Sequence, residues 1–271
     1  MTRPSAPQHR FPDAKEDLRN LRDAPDTPQT RSPSYRLAFA DPDFLTRPEL
    51  RPVRLQLELL KPEMALAERG ISSTVILLGS ARIPGPETEN PHPGLAALAP
   101  WYEEARLFAR LTAGRAQATG NREFVVCTGG GPGIMEAGNR GAAEASGISV
   151  SLNIVLPHEQ EPNRWSTPEL AFNFHYFAVR KMHFLMRARA IAVFPGGFGT
   201  LDELFEVLTL VQTGRMEPLP IVMFGRGFWE RVIDWQALVE AGTIAPGDPG
   251  LVTHVETAEE AWSAIEAWPE G

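Results

Sequence analysis

Apolar residues come in two rhythms along this chain. Thr74–Gly79 (TVILLG), Phe124–Cys127 (FVVC), Ile148–Leu156 (ISVSLNIVL), Ala190–Phe194 (AIAVF) and Pro220–Phe224 (PIVMF) are short, continuous apolar runs. Strands covered by helices on both faces need such runs, because neither face meets water. Between them lie stretches with apolar residues at helical spacing: Trp101–Gln117, Ile134–Ala145, Phe177–Arg187, Thr200–Thr213 and Gly227–Glu240. A weaker strand, Leu251–Val255, precedes a last helix with Thr257 as its cap. This alternation predicts an α/β fold, a Rossmann-like, doubly wound parallel sheet. Ligands in such sheets bind at the carboxyl ends of the strands.

The N-terminal quarter differs. Ten of the 25 prolines fall within residues 1–62, and the first 34 residues carry almost no periodic apolar positions. Residues 1–34 therefore read as a flexible arm. From Arg47 to Gly70 helical spacing returns, with Leu55, Leu59, Leu60 and Met64 as an apolar stripe. Residues 35–70 read as an N-terminal helical extension, and 71–271 as the Rossmann-like domain.

Composition narrows the function classes. The 271 residues carry 26 Lys+Arg against 34 Asp+Glu, a net charge of −8, which argues against binding a nucleic acid polymer. A single cysteine, Cys127, leaves no disulfide framework and no Cys-cluster zinc site. No apolar run is long enough for a bilayer and the N-terminus lacks a secretory core, so the expected compartment is cytoplasmic, without membrane attachment.

Four segments carry candidate chemistry. After the fourth run stands Pro195-Gly196-Gly197-Phe198-Gly199-Thr200-Leu201-Asp202-Glu203. Glycines let a backbone approach an anion, and free N–H groups at a helix start point toward it. The competing explanation is a tight turn with a Thr200–Glu203 capping box. That accounts for the helix start but not for Gly196, Gly197 and Gly199 together. A second turn, Gly129-Gly130-Gly131-Pro132-Gly133, opens a helix containing Glu136. A dinucleotide site would need an acidic residue near the end of the next strand, and Leu152–Val155 contains none. The third turn, Gly79-Ser80-Ala81-Arg82, offers a hydroxyl and a cation for phosphate or ribose. The fourth segment places Arg180 and Lys181 at a helix start, where cations oppose the helix dipole. An anion or a carboxylate such as Glu203 would relieve that. His175 reads as a packed histidine rather than a catalyst.

PGGFGTLDE is similar to the PGGxGTxxE signature of the LONELY GUY family, the cytokinin riboside 5′-monophosphate phosphoribohydrolases long called lysine decarboxylases. GGGPGIMEA resembles the family's second glycine turn, VRK its arginine–lysine pair and GSAR the turn after its first strand, all in family order from Thr74 to Phe224. The GPGIMEA and FHYF-x-VRK forms and the N-terminal extension resemble longer bacterial relatives. The resemblance implies hydrolysis of an N-glycosidic bond in a nucleoside 5′-monophosphate, with AMP or a cytokinin nucleotide as substrate. It implies Arg180 and Glu203 as the catalytic pair. Substrate and phosphate would be held by Gly79, Ser80, Arg82, Gly130, Gly131, Gly133, Glu136, Lys181, Gly196, Gly197, Gly199 and Thr200. It further implies a homodimer or larger homo-oligomer and no metal or redox cofactor. The older decarboxylase name would need a lysine for pyridoxal phosphate, and Lys181 is the only one of three lysines inside a motif. A noncatalytic nucleotide carrier or sensor of the same fold is the remaining alternative.

Overall fold

A computed structural model describes residues 13–157 and 161–269. The chain divides into two compact units, Met1–Arg54 and Leu55–Gly271.

In the first unit, α1 (Ala14–Arg22) begins where Asp13 accepts the Lys15 N–H, and it buries none of its residues. Helical structure thus occupies part of the stretch expected to be a flexible arm, while residues 1–12 of that arm lie outside the described residues. α2 (Pro42–Leu45) is capped by Asp41, which also pairs with Arg36. α3 (Arg51–Glu68) crosses into the second unit. That unit begins at Leu55 rather than after Gly70, because Leu55, Leu59, Pro62 and Leu66 pack down as part of it. Leu60 and Met64 do not share that packing, being 51% and 57% exposed.

The second unit is a seven-stranded parallel sheet in the order β4-β3-β2-β1-β5-β6-β7. The strands are β1 (Thr74–Leu78), β2 (Val125–Thr128), β3 (Ser149–Ile154), β4 (Ala171–Phe174), β5 (Ala188–Val193), β6 (Ile221–Phe224) and β7 (Thr253–Val255). Its further helices are α4 (Pro93–Ala96), α5 (Pro100–Ala118), α6 (Ile134–Glu144), α7 (Phe177–Leu185), α8 (Phe198–Gln212), α9 (Arg226–Val232), α10 (Trp235–Glu240) and α11 (Ala258–Glu266). Successive strand residues point to opposite faces. Ile76 and Leu78 join one core with residues of α3, α7 and α8, while Val75 and Leu77 join the other with α5, α6 and α11. Both faces are dry, which is what the continuous apolar runs anticipate. No helix among the described residues is long and apolar enough to cross a membrane.

The chain winds outward from β1 to β4, then returns to place β5 on the other side of β1. That reversal opens a crevice at the carboxyl ends of β1 and β5.

Candidate active site

Three glycine-bearing turns meet at this reversal. Phe194 N–H donates to the Leu78 carbonyl at 2.8 Å and Ser80 N–H to the Pro195 carbonyl at 3.1 Å, so the turns after β1 and β5 are tied together. Ile134 N–H donates to the Ser80 carbonyl at 3.2 Å, tying in the turn after β2. Around them is a cleft of about 830 Å³. Its lining includes Gly79–Arg82, Gly129, Gly131, Arg180, Gly196–Leu201 and Glu203, together with Asn153, Asn173 and Phe177.

The turn after β5 faces the cleft openly. Gly197 is the N-cap of α8 and no side chain caps the helix, so the Thr200–Glu203 capping box does not form. Thr200 lies three residues inside the helix, too deep to cap it, with its side chain tucked against Gly196, where a Cβ would collide. Gly197 and Gly199 have open space where a side chain would project. The first turn of this four-turn helix therefore lines the cleft with no side chain on its free N–H groups, an arrangement suited to an anion.

The catalytic candidates meet across this turn. Arg180 Nη1 lies 3.3 Å from Glu203 Oε1. Arg180 is 8% exposed. Its Nε donates to the Leu152 carbonyl at 2.7 Å, and its guanidinium sits 5.0 Å from the Phe184 ring centroid. The cation is thus aimed from three sides. Burial pushes the Glu203 carboxyl up to about 6, a rise that the Arg180 charge only partly offsets. A carboxyl in that range exchanges its proton near neutral pH. Beneath the pair, burial raises the Cys127 thiol to about 12, which keeps it neutral and inert.

The other expected residues divide between the cleft and contacts away from it. Ser80 and Arg82 line the cleft, and the Ser80 hydroxyl accepts the Arg82 N–H at 3.1 Å. Lys181 turns away from the cleft and sits 3.0 Å from Asp202 and 2.8 Å from Glu206. Burial would lower its ammonium, but these two carboxylates hold it above its ordinary value. A lysine kept protonated in this way is poorly suited to forming an imine. Glu136 also lies apart, accepting from the Tyr102 hydroxyl at 3.0 Å. His175 is exposed and stacks edge-on against Tyr176, while the packed histidine of this helix is His183. Only the buried face of α7 reaches the core, and His175 precedes that helix.

Asparagines supply what the motifs do not announce. Asn163 Nδ2 donates to the carbonyls of Gly130 and Gly131 at 3.1 and 3.0 Å and to Asn139 Oδ1 at 2.8 Å. Fully buried Asn139 also accepts from Thr128 and donates to Ser149 and Ser151. This network fixes the second turn from behind. Asn153, on β3, lies against Gly130 and lines the cleft. A single asparagine in a strand or loop carries no periodic signal, so the sequence pattern does not single these residues out.

A family model described as "possible lysine decarboxylase" matches residues 135–265. Over 91 residues the chain is 30% identical to a probable cytokinin riboside 5′-monophosphate phosphoribohydrolase, LOGL3, of Oryza sativa subsp. japonica, covering 33% of this chain and 43% of the relative. It is 29% identical over 90 residues to the cytokinin riboside 5′-monophosphate phosphoribohydrolase LOG3 of Arabidopsis thaliana, covering 33% of this chain and 42% of the relative. The chain thus spans less than half the length of the curated relatives it matches. Among solved structures it is similar to TM1055, at 21% identity and a TM-score of 0.48, covering 72% of this chain and 99% of the other. It is also similar to the molybdenum cofactor carrier protein of Chlamydomonas reinhardtii, at 16% identity and a TM-score of 0.45, covering 72% and 96%. The family that the four motifs resemble is the one these sequence matches return.

Proposed function

We propose that this protein is a nucleoside 5′-monophosphate phosphoribohydrolase acting on AMP, releasing adenine and ribose 5-phosphate. The observation that carries the reading is the Arg180–Glu203 pair set beside an uncapped, glycine-flanked helix start in one cleft. The 5′-phosphate sits on the first turn of α8, with the Thr200 region and Ser80 around it. The ribose then lies over Glu203. Cleavage of the C1′–N9 bond passes through an oxocarbenium-like ribose. Glu203, ionised, binds the ribose hydroxyls, stabilises that charge and takes a proton from the attacking water. The bond's electron pair leaves with the base, which gains a proton, so one water is consumed per nucleotide. Arg180 orients Glu203 and favours its ionised form. Holding the remote phosphate orients and strains the reacting centre.

The sequence resemblance to phosphoribohydrolases supports the same reaction class. Exposed Phe177 and Met182 on α7, Met186 at its C-terminal cap, and Phe198 and Phe205 on α8 suit a homodimer formed near the cleft, which light scattering would detect. The reaction is tested by incubating the protein with AMP, cytokinin nucleotides and adenosine and separating the products. AMP should yield adenine far faster than adenosine does, because the nucleoside leaves the α8 turn empty. Charge-assisted hydrogen bonds of ~1.5–3 kcal/mol each would be lost. Equal rates on both would refute the phosphate assignment, and tight AMP binding without base release would make the protein a nucleotide carrier.

A further inference from the structure

Two carboxylates on α3 reach the helix that bears Arg180. Glu58 Oε1 accepts the His175 N–H at 2.9 Å and Oε2 accepts the Tyr176 N–H at 3.1 Å. These residues lead into α7, whose N-cap, Tyr176, makes no side-chain cap of its own. The Tyr176 carbonyl in turn accepts the Arg180 N–H at 3.1 Å, and Arg180 lies 3.3 Å from Glu203. A short chain of polar contacts therefore runs from Glu58 to the catalytic pair. Beyond the other end of α7, Glu63 holds Arg187 through two contacts of 2.6 and 2.8 Å, and Arg187 Nε donates to the Ile71 carbonyl at 3.1 Å. One helix thus grips α7 at both ends.

The placement has an electrostatic reason. Arg180 and Lys181 near the start of α7 oppose its dipole, and no acidic residue stands in its first turn. Glu58 supplies the missing negative charge from a remote segment. It lies outside the residues that line the cleft.

We propose that Glu58, seconded by the Glu63–Arg187 pair, is a positioning residue for N-glycosidic cleavage, setting the start of α7 and so the depth and aim of Arg180 toward Glu203. This rests on the phosphoribohydrolase reading. A carboxylate that only stabilised the fold would leave the catalytic geometry of the folded fraction intact.

The test compares Glu58→Ala, the milder Glu58→Gln and a control, Arg69→Ala, which removes an exposed contact to Glu169 just past the end of α3. Each is characterised by melting, by kcat and KM for AMP, and by carbon NMR titration of the Glu203 carboxyl. Arg180 and Lys181 face that carboxyl from α7, Asp202 and Glu206 from α8, and Cys127 from β2. None of these is altered by the substitutions. Glu58→Ala should lower kcat about 10- to 100-fold, as a small misplacement does, with KM little changed. The Glu203 midpoint should rise, because the cation that depresses it has drifted. Glu58→Gln, which keeps one acceptor oxygen, should fall between, and it carries the comparison if Glu58→Ala does not fold. Arg69→Ala should match the wild type in kcat and midpoint. A folded Glu58 variant with wild-type kcat and Glu203 midpoint overturns the proposal. If the wild type releases no adenine, the reaction assignment fails, and the Glu203 midpoint alone decides the positioning role.

Discussion

The turns after β2 and β5 look alike in sequence and do different work in space. Each follows a buried strand, carries several glycines and opens a helix. Yet the turn after β2 is filled by the protein itself. Gly130 and Gly133 adopt left-handed φ of +73° and +65°, and a Cβ on either would strike Asn153 or the Ser80 carbonyl. Asn163 occupies two of its carbonyls, and Ser80 takes the first N–H of α6. The turn after β5 has open space at Gly197 and Gly199, and no side chain caps α8. Glycine therefore serves close packing in one turn and access in the other. Sequence alone does not separate these uses; the neighbouring atoms do.

This contrast can be broken at either turn. The largest effect belongs to the pair beside the open turn. Glu203→Gln should lower kcat by about 10²–10⁴-fold while the fold survives, as loss of a positioned acid–base group does. Turnover beside a melting curve checks this. Arg180→Ala should be similarly damaging, and the double variant little worse than either single one if the two act as a unit.

Next is the open turn itself. Gly199→Asp introduces a carboxylate at a position with free space in the first turn of α8. Nucleotide affinity should fall about 100-fold or more, while stability holds or gains about 0.3–1 kcal/mol from the helix dipole. Calorimetric titration with AMP and thermal melting read the two outcomes. Retained affinity would remove the phosphate from this turn.

The packed turn should behave in the opposite sense. Gly133→Ala must strain a φ of +65° and press on the Ser80 carbonyl. A loss of about 1–3 kcal/mol or more in unfolding free energy is expected. Denaturant unfolding checks it, and a neutral result would mean that the three turns are not rigidly tied.

The smallest effect is the pH dependence of stability. The folded carboxyl of Glu203 sits near 6 against an ordinary 4.5, so the folded state binds this proton more tightly than the unfolded one. Its contribution is full below about 4.5 and is lost as pH rises through about 6. The difference is about 2 kcal/mol at most for a partly solvated group. Glu203→Gln should lack this component in a pH series of unfolding curves. If ionised Glu203 is the working form, kcat/KM should rise with pH through the same region.

Much of this was legible in the order of apolar runs. Five runs anticipated β1, β2, β3, β5 and β6, since a strand buried on both faces leaves an unbroken apolar segment. β4 was not anticipated, because Ala171-Phe172-Asn173-Phe174 alternates and its Asn173 faces the cleft. The single helix expected over Gly227–Glu240 breaks into α9 and α10 where Ile233 turns extended and Asp234 caps a new helix. At the site, motif order brought Arg180, Glu203 and the three turns together. Lys181 departs because adjacent residues on a helix point about 100° apart, so two neighbouring cations do not reach one cleft. The asparagine network was illegible because its geometry comes from tertiary contact.

Cleavage of a base from a nucleotide is the work proposed for the open turn and the Arg180–Glu203 pair. It is tested most directly by following AMP with the wild-type protein and with Glu203→Gln, quantifying adenine and ribose 5-phosphate together. The wild type should give equal amounts of both products and the variant almost none, with AMP still bound. Undiminished release from Glu203→Gln, or AMP bound by the wild type and returned intact, would contradict it.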